Sequence, residues 1–220
     1  MDELTALQRF AVWVLPVLFA ITVHEVAHGW VAMKLGDSTA KMMGRLTLNP
    51  LKHIDPIGTV LVPGILMLVG GFVFGWAKPV PVNWGNLGSP RRDIALVALA
   101  GPAANLIMAV IWAIMMGIGL NIVENTESWA YPLVLMGSAG ISINLILMVL
   151  NLLPILPLDG GRVLGSLLPA NIARKYALLE NYGLFVVLAL LYFGVLSWLL
   201  SPPVNMLHGI MSQIAIFIGD

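Results

Sequence analysis

Residues 10–35, FAVWVLPVLFAITVHEVAHGWVAMKL, decide how this chain must be organised. The stretch is long enough to cross a bilayer as a helix, since about 20 apolar residues span the hydrocarbon core. Yet its second half carries His24, Glu25 and His28. Ionisable groups at membrane depth are expensive and mark function. Residues four apart share one face of a helix, so both imidazoles can reach a single metal ion. Glu25 projects roughly 100° away from His24, which puts its carboxylate beside a metal-bound water instead of on the metal. Two histidines, a carboxylate and an open water position form the usual catalytic zinc arrangement.

The rest of the chain is equally apolar. Of its 220 residues 59% are hydrophobic and 10% charged, where a soluble domain carries about 25% charged residues. The mean hydropathy is +0.93. Eleven basic residues balance eleven acidic ones, so no nucleic-acid partner is expected. The absence of cysteine excludes disulfides, thiol catalysis and thiolate metal sites, leaving nitrogen and oxygen ligands. Met1-Asp2-Glu3 is not the basic start of a secretory leader, and the first apolar segment is expected to be retained. No linker or repeat divides the chain, which reads as one membrane domain over 1–220.

Four further segments approach spanning length: 57–76, 94–120, 131–156 and 178–200, with a short apolar tail at 204–218 behind Pro202-Pro203. Lys and Arg collect on the cytoplasmic side. Lys34, Lys41, Arg45 and Lys52 follow the first segment. Lys78, Arg91 and Arg92 precede the third, and Arg162, Arg174 and Lys175 follow the fourth. One side holds all of these only if 57–76, with Pro63-Gly64, Gly70-Gly71 and Gly75, turns back within the membrane. Trp76 and Trp84 read as interfacial belt residues.

A third metal ligand must lie at the depth of the histidines. Asp159 stands out in 151–161, NLLPILPLDGG, where two prolines break a helix and a double glycine allows close backbone approach. If 57–76 crossed fully, Asp159 would emerge about 30 Å from the histidines. The chemistry therefore also favours a re-entrant segment.

With both motifs in view, the chain resembles the site-2 proteases, intramembrane zinc metalloproteases. His24 to His28 meet that family's His-Glu-x-x-His helix. Asn151, Pro154, Leu158, Asp159 and Gly160 meet its Asn-x-x-Pro-x-x-x-Leu-Asp-Gly segment, and Gly101 with Asn105 meet its Gly-x-x-x-Asn stretch. The resemblance implies one zinc ion per chain bound by His24, His28 and Asp159. It implies hydrolysis of peptide bonds in or near transmembrane segments by zinc-activated water, with Glu25 as general base. Asn151 would hold substrate backbone, with Asn105 ranked behind it. Substrates would be single-span membrane proteins, and the enzyme a multi-pass protein of the cell membrane with a cytoplasm-facing active site; homo-oligomerisation is left open.

The expected fold is all-α and polytopic, in a compact form without a PDZ or CBS domain. It comprises a three-helix catalytic core at about 8–165, accessory C-terminal helices at 176–220, and a short membrane-associated β-hairpin or re-entrant region at about 40–85. Residues 45–48 or 79–83 would offer a strand edge on which an unwound substrate pairs, with Pro79 and Pro81 leaving one side usable. Two rivals remain: a different zinc protease in which Glu180 completes the site, and a non-enzymatic metal carrier or helix binder. His53 and His208 read as structural.

Overall fold

The computed structural model describes residues 5–61, 65, 75, 77–125 and 128–219. Helix α1, Ala6–Lys34, begins at Thr5, whose hydroxyl accepts from the Gln8 N–H while the Gln8 side chain accepts from the Thr5 N–H. This reciprocal cap satisfies amides that the first turn leaves without partners. Gly36, at φ 114°, turns the chain out of the helix. A short helix α2, Thr39–Met42, follows. Single turns come next at Pro50–Lys52, Pro56–Leu61 and Trp84–Asn86. Two long helices then form the centre: α3, Pro90–Asn125, and α4, Tyr131–Asn151. Helices α5, Asp159–Leu167, and α6, Ala170–Ala177, are short. Helices α7, Glu180–Tyr192, and α8, Val195–Gly219, complete the chain.

Helices α1, α3 and α4 are each long and apolar enough to cross a membrane, and α6 with α7, bent by 63°, passes the same test as a pair. The protein is a multi-pass membrane protein. Helix α3 is the hub, packing against α1, α4, α5 and α8. Trp112, Ile141, Leu145 and Met211 form the core where α3, α4 and α8 meet. Small residues let these helices approach, as in lipid, where van der Waals contact drives association. A Cβ on Gly140 would strike the Trp112 indole, and one on Gly137 would lie 2.6 Å from Met116 Cβ.

Two expectations need correction. No strand occurs among the described residues of 40–85, so the β-hairpin is not formed there. Residues 77–83 form neither helix nor strand, and side chains instead of a neighbouring strand satisfy much of their backbone. Arg45 Nη2 donates to the carbonyls of Lys78 and Pro79, Glu25 accepts from Val80 N–H, and Asp37 accepts from Asn83 N–H. Pro79 and Pro81 have no N–H to offer a ladder. Second, the C-terminal break falls at Gly194, φ 72°, and not at Pro202-Pro203, which lie within α8. The re-entrant reading of 57–76 falls largely on residues outside those described.

Asp37, fully buried just past α1, fastens the polar end of the bundle. Its carboxylate accepts from Thr39 N–H and Oγ1, Asn83 N–H and Asn86 Nδ2. Burial raises its pKa, and the hydrogen bonds from Thr39, Asn86 and Asn83 outweigh that, leaving it below the usual carboxylate value. A depressed folded-state pKa contributes stability above the unfolded value of about 3.9 and loses it as pH falls further. Thermal melts in detergent should therefore show stability falling below about pH 4, and Asp37→Asn should flatten that part of the profile.

Candidate metal centre

The His24–His28 pair sits on the inner face of α1, four residues apart, against one stripe of α3. Three positions of that stripe, again four apart, handle the imidazoles. The Val97 carbonyl is 2.7 Å from His28 Nδ1, and Asn105 Oδ1 is 2.6 Å from His24 Nδ1. Between them Gly101 has no side chain, and a Cβ there would lie 2.6 Å from His24 Nε2. Asp159 arrives from the other direction at the start of α5, where the helix N-terminus favours negative charge. The chain reaches it from α4 through 152–158, with prolines at 154 and 157. Gly160 and Gly161 let α5 fold back on this loop: a Cβ on Gly161 would lie 2.5 Å from Leu156 N.

Three atoms of the kind that bind metal ions now converge. Asp159 Oδ2 lies 3.3 Å from His24 Nε2 and 3.3 Å from His28 Nε2, which are 3.0 Å from each other. Because a carbonyl and an amide oxygen face the two Nδ1 atoms, those nitrogens carry the protons. In a neutral ring each Nε2 is then a bare lone pair, the form that binds a metal ion. Both point at Asp159 Oδ2, a buried oxygen with no hydrogen-bond donor. Three acceptors facing one another repel unless a cation sits between them. Bonds of about 2.0–2.2 Å in a tetrahedral zinc site put ligand atoms about 3.3–3.6 Å apart, close to this spacing. The donor set fits a divalent metal ion, and among the described residues these three form the one cluster of side chains that could hold it.

The centre opens into a cavity of about 540 Å³. Glu25 and Asn151 line it, as do Pro79, Val80, Val82 and Leu184. Glu25 Oε2 accepts from Val80 N–H at 2.7 Å, which fixes the carboxylate at the cavity wall. Asn151 Nδ2 donates to Leu147 O. Asn105 is fully buried behind His24 and is not among the cavity-lining residues. Glu180 pairs with Arg162 at 2.8 Å, and Arg162 also lies over the Trp84 ring. His53 Nε2 bonds Thr47 O, and His208 Nδ1 meets Ser212 Oγ, both in packing roles.

The sequence profile of peptidase family M50 matches residues 12–136 and 115–194, so the matched region contains both histidines, Glu25 and Asp159. The chain belongs to peptidase family M50. It is accordingly a metalloprotease. This M50 chain is 42% identical over 196 residues to YwhC of Bacillus subtilis, 87% of this chain and 85% of that protein. It is 31% identical over 204 residues to Rip2 of Mycolicibacterium smegmatis, 89% of this chain and 73% of that protein. Both carry provisional names as zinc metalloproteases. The zinc metalloprotease MJ0392 of Methanocaldococcus jannaschii is 25% identical over 197 residues, 86% of this chain and 44% of that protein. No solved structure matches the M50 chain.

Sequence reading did not find Val97, Val80 or Asn144 at this site. Val97 and Val80 act through backbone atoms, which residue type does not advertise. Asn144 had a signal: an amide in the middle of an apolar span, seven residues before Asn151 and so on a similar face.

Adding one methyl at the heart of the M50 stripe gives a clean test. Gly101→Ala should push an imidazole out of line and lower the zinc content of purified protein about tenfold, with helicity by circular dichroism unchanged. Full zinc content would mean that the imidazoles do not depend on this close approach.

Proposed function

We propose that this metalloprotease hydrolyses peptide bonds in or near transmembrane segments of single-span membrane proteins. In this reading one zinc ion is held by His24, His28 and Asp159, and Glu25 is the general base. The observation that carries it is the convergence of three lone-pair atoms at 3.0–3.3 Å on the wall of a cavity that Glu25 also lines. A bound zinc ion supplies Lewis-acid chemistry, acidifying water and polarising a carbonyl.

The protein's own groups do the rest. Glu25 takes a proton from the attacking water and returns it to the departing amine, so one carboxylate serves both halves of the hydrolysis. Val80 N–H keeps that carboxylate from swinging away from the cavity. The apolar wall residues Pro79, Val80, Val82 and Leu184 suit the side chains of a membrane segment. Asn151 at the cavity edge is assigned to the substrate backbone. The clustering of Lys34, Lys41, Arg45, Lys78, Arg91, Arg92 and Arg162 in the chain's polar stretches supports a cytoplasm-facing site, by the positive-inside bias.

The test separates binding from chemistry. Glu25→Gln should retain zinc yet cleave membrane substrates about 10²–10⁴-fold more slowly, the share that a general base contributes. Asp159→Asn should lose zinc and activity together. Comparing membrane-protein fragments in cells carrying wild type or Glu25→Gln identifies the substrates. Wild-type cleavage by the Glu25→Gln protein would sink the assignment of the base.

A further inference from the structure

The ligand His24 is held by a line of side-chain amides that runs into the middle of α4. Asn105 on α3 shows its Oδ1 to His24 Nδ1 at 2.6 Å, and its Nδ2 donates to Ala20 O at 3.3 Å and to Asn144 Oδ1 at 2.9 Å. Asn144 in turn donates its Nδ2 to Gly140 O at 2.8 Å. Both asparagines are completely buried.

The line has a direction. An amide side chain is nearly symmetric in shape, so turning it over exchanges acceptor for donor at little steric cost. If Asn105 turned over, its Nδ2 would face His24 Nδ1. The imidazole would then have to carry its proton on Nε2, the atom facing Asp159 and His28. A protonated Nε2 cannot bind a metal ion. Two acceptors oppose the turn, the Ala20 carbonyl at 3.3 Å and the closer Asn144 Oδ1 at 2.9 Å, and what keeps Asn144 itself oriented is its own bond to Gly140 O. Buried amides in a low-dielectric interior lose much when a donor meets a donor, so the sense of the chain propagates.

We propose that Asn144 is a positioning residue for the metal centre, setting the tautomer of His24 through Asn105 although it touches no ligand. The inference rests on the zinc reading given above. It goes beyond that reading by assigning a role to a residue of α4 that the peptidase motifs do not include. Groups at this remove from a metal commonly change its affinity by about 10–100-fold.

The experiment uses the full chain in detergent. Zinc affinity is measured by competition with a chromophoric chelator, and site geometry by the visible absorption of the cobalt-substituted protein. Asn144→Leu removes the acceptor; Asn144→Ser is too short to reach Asn105 yet can still bond the Gly140 carbonyl. Should the leucine variant fail to fold, the serine variant carries the test. Both should bind zinc about tenfold or more weakly and alter the cobalt spectrum. Gly137→Ala forces a shift at the same α3–α4 contact, against Met116, without touching the amides, and should weaken zinc far less than the Asn144 variants do. The relay is overturned if the Asn144 variants match wild type in affinity and spectrum, or if Gly137→Ala weakens zinc equally. A wild-type chain that binds no zinc would remove the metal centre, and the relay with it; wild-type binding with unaffected Asn144 variants would remove only the relay.

Discussion

Mutual repulsion among unprotonated nitrogen and carboxylate lone pairs is the constraint around which this molecule is arranged. In water such atoms would separate or take up protons. Here His24, His28 and Asp159 come from two helices far apart in the chain, and neither can withdraw. Helix α1 is pressed onto α3 at Gly101, and α5 is tied back on the loop that leaves α4 by Gly160 and Gly161. Folding therefore works against electrostatics at one point, and a cation reverses the sign of that interaction. Metal binding and folding are coupled on this account. The packing that enforces the convergence is dispersive, built from close contacts such as Trp112 on Gly140.

The carboxylate that does not join the cluster is as informative as the three atoms that do. Glu25 is one residue from His24 but faces the cavity, where Val80 N–H holds it. The irregular segment 77–83 thus forms a wall of the cavity and anchors its polar group. Arg45 and Asp37 clamp the two ends of this segment. A short, proline-bearing stretch without a sheet partner is kept in place by charged side chains drawn from α1 and the loop that follows it. This is how non-helical backbone persists beside a membrane domain, where bare carbonyls and amides are costly.

Much of this was readable from residue types. The four-residue spacing of His24 and His28 put both on one face, and the prolines and glycines around Asp159 announced a helix end with close backbone approach. The long apolar runs announced α1, α3 and α4. What escaped reading falls into physical classes. Val97 and Val80 contribute backbone atoms, and any residue has those. The strand expected at 79–83 looked plausible from alternation, but its hydrogen-bonding groups are claimed by side chains distant in sequence. Pro202-Pro203 looked like a break, yet a helix can carry proline where the missing bond is tolerated, whereas the positive φ at 194 suits glycine in particular. Glu180, weighed as a ligand, met Arg162 instead, a choice that spacing could not decide.

The stripe Val97–Gly101–Asn105 has one more implication. It repeats every four residues, as the histidines do, so α1 and α3 mesh like the teeth of two racks at this point. Sliding α3 by one turn would bring Gly101 opposite the imidazole that Val97 or Asn105 now serves, leaving one ring without its acceptor and another against a clash. In the proposed reading, an ion bound by the α1 histidines and the α5 carboxylate would lock this seam, because imidazoles fixed on the metal could no longer leave the α3 acceptors that orient them.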